Sequence, residues 1–340
     1  MVNLIIGGTG FAAPYVIKEL VDHGEEVVAA DLKPDLTAFD HLGISGRVKI
    51  IKLDILNYEA LLAIIKQNRV TKIADYASYR QSKLDPLELQ RQRGGTFPSI
   101  RLNTEGVRNI FEAARMLDVE KVVMTSSTGV YGNLPQLGRP LTEDDPTAAV
   151  TTGYMAKRVG EMVCEEYNEL YGLDCLVIRF GGQVYGPRMF DAQSKSKTAT
   201  SDRLGVAIQD LFENGALGRS CKITEPDYVK SWIFVRETAK AVHSGLNSKN
   251  PQHRVFNAPG FVHTNREISE MVKRYVKDCK IEYVQGKVDR WDKRVLSSWK
   301  HAYEYSRIES ELGWEPTIDI DVGVREFVNY ARRKAGLPSI

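Results

Sequence analysis

The sequence predicts an α/β protein: a doubly wound, mostly parallel sheet with a small, discontinuous C-terminal lobe. Three observations predict it. Short β-branched runs alternate with longer helical patterns through the first half of the 340 residues. The runs are apolar at consecutive positions, hence on both faces. The first of them ends in a glycine-rich turn that leads straight into a helix. Strands buried on both faces belong to a parallel sheet covered by helices, because each parallel crossover lays a helix over one face or the other.

The elements follow in order. "VNLIIG" (2–7) is a strand and "FAAPYVIKELVDHG" (11–24) a helix, followed by the strands "EEVVAAD" (25–31) and "VKIIKLD" (48–54). "YEALLAIIKQN" (58–68) has helical periodicity, "VTKIADYAS" (70–78) is again a strand, "GVRNIFEAARMLD" (106–118) a helix and "VEKVVMTSS" (119–127) a strand. "TTGYMAKRVGE" (151–161) starts a helix with Lys157 and Glu161 on one face. Two polar stretches, 79–100 and 188–202, interrupt this rhythm; loops of that length are usually lids or disordered segments. Beyond about residue 186 the rhythm loosens, while "FVRETAKAVHSGL" (234–246) and "VFNAPG" (255–260) read as returns to the main sheet. The expected division is therefore 1–186 plus about 231–260 for the sheet domain, and about 187–230 plus 261–330 for the lobe.

Composition excludes several classes of function. With a net charge of +2, scattered Lys and Arg and no aromatic platform, a nucleic-acid partner is not expected. The apolar start meets glycines too soon for a signal peptide or a membrane span, so a cytoplasmic protein is expected. Cys164, Cys175, Cys221 and Cys279 lie far apart without metal-ligand spacing, which predicts reduced, mostly buried thiols and no metal.

"GGTGFAA" (7–13) lies between a strand and a helix, the context that gives a glycine pattern meaning. Gly7 makes the tight turn, and Gly10 lets the backbone approach a pyrophosphate on the helix N-terminus. Ala13 stands in for a third glycine. Asp31 ends the second strand, where a carboxylate accepts hydrogen bonds from both ribose hydroxyls and repels a 2′-phosphate. The expected cofactor is NAD rather than NADP.

"GGTGF", "LDI" (53–55), "LNTEGVRNIFEAA" (102–114), "MTSSTGVYG" (124–132), "LTEDDP" (141–146), "QVYGPR" (183–188) and "LGWEP" (312–316) occur in an order and spacing that resembles the extended short-chain dehydrogenase/reductases, the NAD-dependent epimerase/dehydratase family acting on sugar nucleotides. The resemblance runs from residue 2 to about 330 and implies a Rossmann sheet with a substrate-binding lobe. It implies that Thr9 and Phe11 join Gly7, Gly10 and Asp31 in the cofactor site. It further implies that Asp54 and Ile55 hold the adenine, that Ala77 and Ser78 line the pyrophosphate and ribose, and that Asn103 lies beneath the nicotinamide side. Asp75 stands where the family often has histidine. A homodimer through the helices near 98–117 and 153–171 is also implied.

At the catalytic end, the family's Ser or Thr, four residues before the tyrosine of "VYG", corresponds to Ser127, whose hydroxyl can donate to a developing alkoxide. The two following positions, acid and base in dehydratases, are Thr128 and Gly129 here. Lys157 matches the family lysine, which binds the nicotinamide ribose and favours the phenolate through its charge. The family tyrosine would fall at residue 153, which is glycine; Tyr154 stands three before Lys157, about 100° further round the helix. The expected catalytic set is Ser127, Tyr154 and Lys157, with Tyr154 swung in by an altered helix entry at Gly153. Tyr131 is expected to be structural, and Asp144 and Asp145 too polar in setting to act as a base. Gln183, Arg188 and Lys230 take the places of substrate-contacting residues; lysine at 230 offers a point charge where the family has a bidentate arginine. The usual Arg-Pro-Gly-Asp is not recognisable in "DRWDKRVLSSW" (289–299). The leading expectation is an NAD-dependent epimerase or oxidoreductase that moves a hydride at a carbinol carbon of a sugar-like, nucleotide-linked substrate. A lyase or dehydratase with other acid/base residues, and an NAD-bound regulatory protein without turnover, stay open.

Overall fold

The computed structural model describes residues 1–78, 100–135, 137–189, 211–284 and 301–340. Of the two interrupting stretches expected to be lids or disordered segments, 79–100 and 188–202, all but residues 100, 188 and 189 lie outside the described residues, as does 289–299.

Seven parallel strands form the main sheet: β1 (Val2–Ile6), β2 (Glu26–Asp31), β3 (Lys49–Lys52), β4 (Val70–Asp75), β5 (Lys121–Ser127), β6 (Cys175–Phe180) and, after three intervening strands, β10 (Val255–Ala258). Their spatial order is β10-β6-β5-β4-β1-β2-β3. The chain thus winds outward from β1 in one direction, returns to β4 on its other side, and winds outward again. The α/β fold class is as the apolar two-faced strands predict: Leu4, Ile5 and Ile6 are buried, with Leu4 and Ile6 facing one core cluster and Ile5 the other. The reversal of winding between β1 and β4 opens a crevice at their C-terminal ends, which is where ligands of such sheets bind.

Helices cover both faces. One face holds α1 (Ala13–Asp22), α2 (Thr37–Leu42) and α6 (Val235–Asn247); the other holds α3 (Tyr58–Asn68), α4 (Val107–Met116) and α5 (Thr152–Tyr171). A π-helical turn, Leu102–Gly106, runs directly into α4. The helix α5 begins with Thr151, whose side chain accepts the Tyr154 N–H, and ends on Gly172 in the left-handed region, so both boundaries have a local cause.

The other strands build two small sheets. β7 (Gln183–Tyr185), β9 (Val229–Phe234) and β11 (Phe261–Thr264) form one in the order β11-β9-β7, and β8 (Cys221–Thr224) pairs with β12 (Ile281–Val284). Three helices join them: α7 (Asn265–Tyr275), α8 (Ser306–Leu312) and α9 (Ile320–Lys334). All four cysteines are buried thiols, none of them in a disulfide. Among the described residues, no helix is long and apolar enough to cross a membrane.

Candidate active site

The glycine turn lies at the mouth of the crevice. Gly7 has φ +70°, and a Cβ there would come 2.8 Å from Tyr76 C and Ala77 N of the chain leaving β4, so both conformation and space demand glycine. Gly10 donates its N–H to Gly7 O at 3.0 Å, and α1 follows with a proline in its first turn. At the end of β2, Asp31 accepts the Thr9 N–H on Oδ2 and the Lys33 N–H on Oδ1, both at 3.2 Å. These bonds fix the carboxylate beside the turn while leaving lone pairs for further donors. A backbone held bare by glycine, a helix N-terminus and a fixed strand-end carboxylate fit the pyrophosphate and adenosine ribose of a dinucleotide.

Of the remaining expected cofactor residues, Phe11 follows β1, Asp54 and Ile55 follow β3, Ala77 and Ser78 follow β4, and Asn103 lies in the π-helical turn before α4. Phe11 is half-buried just before α1. Asp54 is exposed and its Oδ1 accepts the Leu56 N–H at 3.0 Å; neighbouring Ile55 is buried, with its carbonyl held by Asn109 at 3.0 Å. Ala77, half-buried, gives its N–H to Asp75 Oδ1 at 2.8 Å, and Ser78 is exposed. Asn103 is buried in the π-helical turn.

The three expected catalytic residues converge on the end of β5. The Ser127 Oγ accepts the Gly129 N–H at 3.1 Å and so caps the 3-10 turn Thr128–Tyr131, leaving its own hydroxyl proton to donate elsewhere. The ring of Tyr154 lies against that turn: a Cβ at Gly129 would overlap Cε1 and Cζ and come 2.6 Å from Cδ1. One turn along α5, Lys157 Nζ donates to Thr125 O at 2.8 Å, two residues before Ser127 on the same strand. Asp75, fully buried on the neighbouring strand β4, is pushed above the usual carboxylate range by burial, against the opposing pull of the Lys157 charge and the Ala77 N–H. Among the described residues its Oδ2 has no hydrogen-bond partner. Tyr131 is buried and bonded to Asn257, Arg179 and Thr142 O, and burial pushes its phenol up to about 12. Asp145 is held well below the usual range by its bond to Arg139.

The three substrate-side residues are not brought together in the same way. Gln183 opens β7 and donates to Val184 O at 3.0 Å. Arg188 carries its guanidinium over the Phe11 ring, 4.8 Å from the centroid, which brings it to the glycine turn. Lys230 is 1% exposed on β9, its ammonium 5.9 Å from the Tyr228 ring and 5.3 Å from the Trp232 ring; burial pulls its pKa down to about 8.

The model of the NAD dependent epimerase/dehydratase family matches residues 3–258. The chain belongs to that family. Among its relatives is the UDP-glucose 4-epimerase of Mycolicibacterium smegmatis, 27% identical over 348 residues that take in 98% of this chain and 100% of the relative. Among solved structures, the UDP-glucose 4-epimerase of Thermotoga maritima with UDP-glucose superposes with a TM-score of 0.79 at 22% identity, covering 98% of this chain and 100% of that one. The holo form of an L-threonine dehydrogenase from Cupriavidus necator gives 0.78 at 16% identity, covering 96% and 99%. The fold of this family member is therefore that of the epimerases and of a dehydrogenase alike.

Behind the epimerase-family site lies a polar network that the motifs did not reveal. Glu161, fully buried on α5, accepts from Ser126 Oγ at 2.7 Å and from Arg179 Nε and Nη2 at 2.9 and 2.6 Å; Arg179 Nη1 donates to the Tyr131 hydroxyl at 2.9 Å. It ties α5 to β5, β6 and the turn that carries Gly129. The spacing of Glu161 one turn after Lys157 was the available signal. Tyr303 was also missed: it is buried against the Tyr131 ring, centroids 5.7 Å apart, and within electrostatic range of Tyr154. Nothing local in "HAYEY" marks it.

Proposed function

We propose that this protein is an NAD-dependent nucleotide-sugar epimerase, or a closely related oxidoreductase, acting at a carbinol carbon. The observation that carries the reading is the convergence of Ser127, Tyr154 and Lys157 on the turn after β5, next to the dinucleotide crevice. Gly7, Thr9, Gly10, Phe11 and Asp31 would hold one end of NAD, with Asp54, Ile55, Ala77 and Ser78 along the adenine and pyrophosphate, and Asn103 and Lys157 toward the nicotinamide. When bound, NAD supplies the carbon that accepts the hydride and returns it.

The chain's own residues handle the proton. The Tyr154 hydroxyl oxygen takes it from the substrate hydroxyl, which only a group tuned toward neutrality can do at useful speed. The Lys157 ammonium favours the phenolate and, tethered to Thr125 O, keeps its place on β5. Ser127 Oγ, whose acceptor side is already engaged by Gly129, donates to the same substrate oxygen. In this reading 1–186 with about 231–260 binds the dinucleotide, and about 187–230 with 261–330 binds the sugar, using Gln183, Arg188 and Lys230.

The reading includes a cytoplasmic homodimer. Met116 on α4 and Met162, Leu170 and Tyr171 on α5 are each more than half exposed on adjacent helices, and in this reading they lie in the interface between the two copies. The direct test is proton NMR of UDP-glucose incubated with the NAD-loaded protein. Appearance of UDP-galactose, lost in Tyr154→Phe, is the expected result; no conversion of UDP-glucose, UDP-glucuronate or their N-acetyl relatives would reject epimerisation.

A further inference from the structure

Tyr154 and Gly129 are 25 positions apart in sequence, yet the ring of one fills the space that a side chain on the other would need. A Cβ at 129 overlaps Cε1 and Cζ of the ring. The backbone cannot retreat, because Gly129 is buried, its N–H is bonded to Ser127 Oγ at 3.1 Å and its carbonyl accepts the Gly132 N–H at 3.1 Å. At 153 the situation is reversed: a Cβ there meets nothing nearer than Thr151 Oγ1 at 3.8 Å, so this position has room for a side chain and carries none.

We propose that Gly129 is the positioning residue that lets this chain carry its phenol at 154, so that a side chain at 129 and the Tyr154 ring exclude each other. The proposal rests on the reading of Tyr154 as the proton acceptor.

Two readouts test this, neither needing a substrate. In NAD-saturated protein, tyrosinate absorbance near 295 nm is followed against pH; subtracting Tyr154→Phe isolates one phenol among 15 tyrosines. Wild type should show a phenol that ionises ahead of the others, and Gly129→Ala should move it into the range of the rest. The triple variant Gly129→Ala, Gly153→Tyr, Tyr154→Ala should regain an early-ionising phenol from position 153. Separately, Gly129→Ala should lower the melting temperature by several degrees in wild type and by less than half as much in Tyr154→Ala, since the clash leaves with the ring.

Equal melting shifts in the two backgrounds would overturn the mutual exclusion while leaving Tyr154 as the phenol. An early-ionising phenol retained in Gly129→Ala would overturn it too. A subtracted phenol that ionises no earlier than the others in wild type would reject Tyr154 itself, and the proposal with it. A triple variant that melts like wild type but lacks the early phenol would overturn the exchange between 153 and 154.

Discussion

At the scale of single residues, Asp31 and Lys230 show how position sets the value of a charge. Asp31 is held by two backbone N–H groups at the rim of the crevice, fixed in direction before any ligand arrives. Asp31→Ser should narrow the preference for NAD over NADP by about 1–3 kcal/mol, the scale of a charge-assisted hydrogen bond, as read by calorimetric titration of both nucleotides. Lys230 works against stability instead. Its folded pKa of about 8 lies below the ordinary value of 10.5, so between these pH values the unfolded chain binds more protons and stability rises with pH. Below pH 8 the full cost of burying the charge is present. The stability of Lys230→Met relative to wild type should therefore fall as pH rises from 8 toward 10.5; a constant difference would contradict this. Gly7, Gly10 and Asp31 were legible in the sequence because a turn between strand and helix has a local cause. The Tyr154–Gly129 contact was not, because it joins two elements whose packing no local pattern encodes.

At the scale of elements, the alternation of apolar runs identified β1 to β5 in order and β10 as a return to the sheet, because strands covered on both faces are mostly apolar, whereas β6 and α2 were not singled out. The two small sheets were harder to see, since β7, β8, β11 and β12 are only three or four residues long and carry little periodicity. The helix α5 does most to join fold and site: it carries Tyr154 and Lys157 on its first turns and anchors itself through Glu161. Glu161→Ala would leave Arg179 charged in a buried setting without its carboxylate. The expected loss is about 3–5 kcal/mol in denaturant unfolding, whereas replacing both residues by apolar ones of similar size should cost much less. The outer face of the same helix makes a different prediction. Met162→Glu with Leu170→Glu should give a folded monomer in sedimentation equilibrium; a wild-type protein that is itself monomeric would remove the dimer from the account.

At the scale of the whole molecule, the reversal of winding between β1 and β4 explains why residues spread over 150 positions form one site. The glycine turn follows β1, Asp31 ends β2, Asp75 ends β4 and Ser127 ends β5, so every strand delivers its last residue to the same edge of the sheet. That edge was legible in advance, since parallel strands point their C-termini one way. The substrate side was less so, because Arg188 and Lys230 took up places against Phe11, Tyr228 and Trp232 that the motifs did not specify. The central claim is that this site takes a hydride from a sugar carbinol with Tyr154 and Lys157 managing the proton. The most direct measurement is absorbance at 340 nm of the NAD-loaded protein on adding a nucleotide sugar, for wild type, Tyr154→Phe and Lys157→Met. The account predicts cofactor reduction in wild type, at a rate about 100-fold or more slower in Tyr154→Phe with NAD still bound. Reduction at the wild-type rate in Tyr154→Phe, or neither cofactor reduction nor conversion of any nucleotide sugar by wild type while NAD is bound, would contradict it.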